Sequence, residues 1–177
     1  SNFISGQDKF YHFILLAKDE IGHSQLQELS SRAWERSWMK FIRRRPTYYS
    51  DIEKIVGNNP GHIIASTACI GGFLGTTILK YGADSKNKSK YQQEIIDFLN
   101  WCVNIFGEEN FFLEMQPSNE EEQVFVNTEI QKISAAMGIP VIITTDAHYL
   151  KKEDRKIHKA YLNSKDGDRE VDSFYAS

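Results

Sequence analysis

The chain has 177 residues, 41% of them hydrophobic and 25% charged. That is enough apolar material for one domain with a sizeable core, and a net charge of -3 does not demand an anionic partner. No apolar run approaches the roughly 18 residues of a helical membrane span, so no membrane association is expected.

The start, "SNFISGQDKF", has neither a basic n-region nor an h-region, so a secretory leader is not expected. Ser1-Asn2 has the look of an expression scar, and an excised fragment is one reading of this start. The chain has two cysteines, Cys69 and Cys102, in segments of different character. That usage suits a reducing cytoplasm better than a disulfide framework.

Residues 10–18, "FYHFILLAK", form a short apolar run bounded by charge, which predicts a strand. Residues 23–42 place Leu26, Leu29, Ala33 and Met39 at helical spacing, with Ser24 as a candidate N-cap. A short helix is expected over 49–57, capped by Ser50 and stopped by Gly57. Residues 62–68, "HIIASTA", are β-branched and small, as in a buried strand. Residues 71–82 predict a helix opened by Gly71 and Gly72, and residues 83–90 a polar loop. An amphipathic helix follows over 91–107, with Cys102 as a plain core residue. A strand over 111–116, a helix over 119–138 with acids at its positive end, a strand over 139–146 and a helix over 151–164 complete the order. Strands alternating with helices predict an α/β fold, with a mainly parallel sheet and outer helices.

In parallel α/β folds functional groups collect beyond the C-terminal ends of strands. Asp146 and His148 stand there, in "IITTDAHYL". A D-x-H pair in extended backbone can turn both side chains to one side, where carboxylate and imidazole suit Zn²⁺, Mn²⁺ or Fe. The plain alternative is a capping aspartate beside a loop histidine. Cys69 holds the same relative place after "IIASTA", as a thiolate ligand or a small buried hydrophobe. Gly71 and Gly72 after it could offer backbone N–H groups to a phosphate. His12 opens its strand, which fits the C-terminal-end rule poorly. His23 and His62 carry weaker cases; His158, on the last helix, could orient a ligand. Between residues 32 and 49, basic residues alternate with aromatics. Arg43, Arg44 and Arg45 at its centre suit a nucleic-acid backbone, or else a solvated helix face.

Four ordered stretches together resemble the PHP (polymerase and histidinol phosphatase) domain of the alpha subunit of bacterial DNA polymerase III. They are "HFILLAKDEIGHSQLQELSSRAW", "GHIIASTACIGGFLG", "FGEENFFLEMQ" and "MGIPVIITTDAHYLKKEDRKIH". The resemblance implies a distorted (β/α)7 barrel with a cluster of divalent metal ions (Zn, or Mn, Mg or Fe) at one mouth. His12, Cys69, Asp146 and His148 match ligand positions of the family. The family's opening H-x-H motif, its later T-D-H-type motif and its upstream acidic ligand have no match here, and "FIRRRPTYY" is more basic than usual.

The resemblance therefore implies the later part of a PHP domain over residues 1–163, with 164–177 a linker toward absent polymerase domains. The parent would be a cytoplasmic replicative polymerase working on DNA and deoxynucleotides with other holoenzyme subunits. Its PHP domain would be a metal-dependent phosphoesterase, within that class a 3′–5′ proofreading exonuclease; the alternative is a non-catalytic scaffold that steadies the polymerase or binds a proofreading subunit. A free-standing phosphatase of the superfamily fits less well. With the ligand set incomplete, weak metal binding and no robust nuclease activity are expected of the chain alone. Exposed strand edges would allow a dimer of the fragment.

Overall fold

In the computed structural model, residues 10–35 and 46–166 are described. The chain forms two compact units, Ser1–Leu113 and Glu114–Ser177.

The first unit begins with β1 (Ile14–Ala17), α1 (Glu20–Glu35) and a single helical turn, α2 (Tyr49–Ile52), which widens into a π-helical turn over Glu53–Gly57. Then come β2 (Ile63–Ser66), α3 (Phe73–Ala83), a 3-10 turn (Ser85–Asn87), α4 (Lys88–Phe106) and β3 (Phe111–Met115). The second unit adds α5 (Glu121–Met137), β4 (Val141–Ile143), a 3-10 turn (Lys152–Asp154) and α6 (Arg155–Asp166). In the first unit the strand order is β1-β2-β3.

The mixed α/β architecture agrees with the predicted alternation, and β2 pairs with β3 in parallel, Ala65 opposite Phe111. The first strand departs from it. β1 runs antiparallel to β2, with Ile14 opposite Ser66 and Ala17 opposite Ile63. The reason lies in burial. Ile63 and Ala65 of β2 are wholly buried, as in a strand covered on both faces, whereas Leu16 of β1 is 57% exposed. An antiparallel strand tolerates one wet face, and a parallel one seldom does.

Several boundaries move for identifiable reasons. α1 starts before Ser24: Asp19 Oδ1 accepts the Gly22 N–H at 2.9 Å and is the cap, while the Ser24 hydroxyl donates to the Glu20 carbonyl. The cap position of α2 is Tyr48, with no side-chain cap, so Ser50 does not serve. The expected loop at 83–90 instead starts α4 at Lys88. Asp84 accepts the Lys86 N–H and the Asn87 side-chain amide, which turns the chain early. β4 is shorter than expected, because Asp146 leaves extended geometry at φ 48°.

The core of the first unit joins Val56, Ile63, Leu74, Ile78, Leu99, Cys102, Phe106 and Phe111, all essentially without exposure. Phe13 packs on Phe106 at 5.8 Å between ring centres, and Phe106 stacks on Phe111 at 6.4 Å. Cys102 is the plain core residue that its helical position predicts, and burial pushes its thiol pKa up. Val126, Ile130 and Ile139 form the smaller core of the second unit.

Candidate metal-binding strand ends

The antiparallel β1–β2 ladder puts the start of β1 beside the C-terminal end of β2. His12, two residues before β1, is bridged to Gly72, and its N–H donates to the Gly71 carbonyl at 3.2 Å. After β2 the chain turns through Ala68, held at φ 59° in the left-handed region where a side chain is strained. Cys69 follows. The Gly72 N–H then donates to the Cys69 carbonyl at 2.8 Å and closes the turn. Only glycine fits at 72, since a Cβ there would lie 2.2 Å from the Thr67 carbonyl oxygen.

The result is a contact of 3.2 Å between His12 Nδ1 and Cys69 Sγ, across 57 positions of sequence. In a tetrahedral zinc site, with Zn–N about 2.0 Å and Zn–S about 2.3 Å, two donors lie roughly 3.5 Å apart. The pair fits that spacing, and imidazole with thiolate is a donor set suited to Zn²⁺. Because β1 runs antiparallel, His12 before its beginning lies beside the C-terminal end of β2, the end where parallel α/β folds collect functional groups. The Gly72 N–H, already donated to Cys69, is not available to a phosphate.

In the second unit, Asp146 and His148 lie just past β4. Asp146 sits at φ 48°, and its carbonyl accepts a hydrogen bond from His148 Nδ1 at 2.6 Å. A carbonyl only accepts, so Nδ1 carries the proton in this bond. The Asp146 Oδ1 atom is 4.0 Å from His148 Nδ1. His158, on α6, stacks on the His148 ring, with centres 5.4 Å apart and planes 12° from parallel. Each unit thus presents one pair of candidate ligands. Among the described residues of either unit, no three His, Cys, Asp or Glu side chains gather in a metal-holding group.

Two residues escaped the sequence reading. Asp19 caps α1 and also accepts a 2.7 Å hydrogen bond from His62 Nδ1, which pins the other end of the β1–β2 ladder. The Gly22 N–H, and after it His62, hold the Asp19 carboxyl below its usual value. The signal was an Asp just before a helical pattern. The second is Glu114, 4% exposed in β3, where it accepts the Thr144 hydroxyl at 2.5 Å. A lone acid inside "FFLEMQ" was its only mark. Arg43, Arg44 and Arg45 lie outside the described residues.

A family model described as the PHP domain matches residues 2–118. The chain belongs to the PHP family. It is 46% identical, over 98% of its length, to a probable DNA polymerase YorL of Bacillus subtilis. It is 33% identical over 87% of its length to the DNA polymerase III subunit alpha of Borreliella burgdorferi, and 29% identical over 86% to that of Thermus aquaticus. The chain spans only 14%, 12% and 11% of these relatives, respectively. The family match reaches His12 and Cys69 and stops before Asp146 and His148, while the Bacillus subtilis relative aligns across 98% of the chain.

Proposed function

We propose that this chain is the later part of a PHP domain, contributing part of a distorted (β/α)7 barrel over residues 1–163 followed by a linker, within a replicative DNA polymerase III alpha subunit. The PHP domain is a divalent-metal-dependent phosphoesterase that removes mispaired 3′ nucleotides from DNA, in a cytoplasmic polymerase that works with other holoenzyme subunits. The observation that carries this reading is the His12–Cys69 contact at a strand end, in a chain of the PHP family.

His12 and Cys69 would hold a metal through nitrogen and thiolate, and Asp146 and His148 through carboxylate and imidazole. When bound, a divalent ion supplies Lewis acidity and charge neutralisation for phosphodiester hydrolysis. The chain's own contribution is to orient. The Ala68 turn aims Cys69 at His12, and the Asp146 carbonyl fixes the ring and tautomer of His148. Arg43, Arg44 and Arg45 would meet the DNA backbone.

The test is substitution of Asp146 and His148 by Ala in the full-length polymerase. Loss of exonuclease with unfolding and polymerase activity unchanged is the expected result. Loss of stability together with polymerase activity would instead assign the domain a scaffold role. For the isolated chain, titration with Co²⁺ should give weak binding with a thiolate-to-cobalt absorption band that Cys69→Ser removes.

A further inference from the structure

We infer that Glu114 is a positioning residue for the Asp146–His148 turn, acting through Thr144. The inference deepens the proposed function, and rests on it in taking Asp146 and His148 as metal ligands.

A residue at positive φ with a side chain is strained, and persists only where its surroundings over-determine it. Asp146 is such a residue. What over-determines it lies two positions earlier. The Thr144 N–H donates to the Met115 carbonyl at 3.1 Å, so its backbone is tied to β3. Its hydroxyl donates to Glu114 Oε1 at 2.5 Å, so its side chain is tied to the same strand. The Gln116 side-chain amide lies 3.3 Å from the same Glu114 oxygen and 3.5 Å from the Thr144 hydroxyl, and closes the group. Asn127 of α5 holds Gln116 in turn, its amide donating to the Gln116 carbonyl at 2.8 Å.

Burying a carboxylate in a strand is costly, and an apolar residue would pack there without that cost. Glu114 is 4% exposed, so its presence asks for a return. A hydrogen bond to a buried acceptor is costly to leave unmade. Here it clamps Thr144, directly after β4, before the chain turns to place Asp146 and His148. The Asp146 carbonyl then receives His148 Nδ1–H and so sets the orientation of the ring. The sequence Glu114, Thr144, Asp146 carbonyl, His148 is a chain of orientation, in which Glu114 itself touches no metal.

The experiment uses the whole 177-residue chain and its Glu114→Ala, Glu114→Gln and Thr144→Val forms. Nitrogen-15 NMR of the imidazoles reads the His148 tautomer without metal, and Mn²⁺ titration reads affinity through broadening of His148. We expect wild type to hold the Nδ1–H tautomer. Glu114→Ala and Thr144→Val should mix the tautomers and weaken Mn²⁺ binding about tenfold. Glu114→Gln, which keeps an acceptor oxygen, should restore both. Retention of the pure Nδ1–H tautomer in Thr144→Val overturns the inference, and that variant decides the matter if Glu114→Ala does not fold. Failure of wild type to bind Mn²⁺ at His148 overturns the ligand reading instead, because the tautomer is measured without metal.

Discussion

At the end of β2, His12 and Cys69 meet from 57 positions apart, whereas beyond β4 the two candidate ligands are near neighbours in the chain. The first pair is made by strand direction. It exists because β1 runs antiparallel and brings its own start to the end of β2. The second pair is made by one residue's backbone, the positive φ of Asp146, held in place by the bonds at Thr144. Both strand ends use a left-handed residue with a side chain, Ala68 in one and Asp146 in the other. The lesson is that the same local device serves two very different ranges of contact. The long-range pair should therefore be sensitive to anything that moves the ladder, and the local pair only to its own turn.

The sharpest way to break the first pair is Gly72→Ala. Its Cβ would lie 2.2 Å from the Thr67 carbonyl oxygen, and backbone must move to admit it. Urea denaturation should show a loss of about 3 kcal/mol. Smaller in effect, and confined to the second pair, is Asp146→Val. A β-branched residue in the left-handed region costs about 1–2 kcal/mol, whereas Asp146→Asn tolerates that geometry and should stay within about 0.5 kcal/mol. Finding the two variants equally stable would mean that the backbone at 146 carries no strain.

The smallest expected effect comes from the far end of the ladder. The Asp19 pKa is lowered on folding, so its charge stabilises the fold above the unfolded value of about 3.8, and that stability fades as pH falls through the lower folded value. Asp19→Asn keeps an oxygen for the Gly22 N–H but loses the charge. Its urea midpoint should fall below that of wild type at neutral pH and converge with it in acid. A gap that persists unchanged below pH 3 would show that the carboxylate's charge is not what secures α1 to His62.

Much of this was legible from residue order. Apolar periodicity located four strands and the main helices, since period 2 and period 3.6 are local properties of the chain. Boundaries were less legible where two capping types compete. Asp19 and Ser24 are both good N-caps; Asp19 wins because His62, distant in sequence, also binds it. A second close approach fixes the same point, since a Cβ on Gly22 would lie 2.1 Å from the His62 carbonyl oxygen. Glu114 was illegible as a positioning group because its partner, Thr144, follows another strand, 30 positions away in sequence.

The sequence by itself determined the alternation of strands and helices, the metal-competent residue types at the strand ends and the resemblance to the PHP family. Only the tertiary structure decided that β1 is antiparallel, and with it that His12 faces Cys69. The physical reason is range. Side-chain periodicity is set by a few bonds of backbone geometry. Strand direction is set by which faces find cover, and the exposed β1 and buried β2 settle that between them.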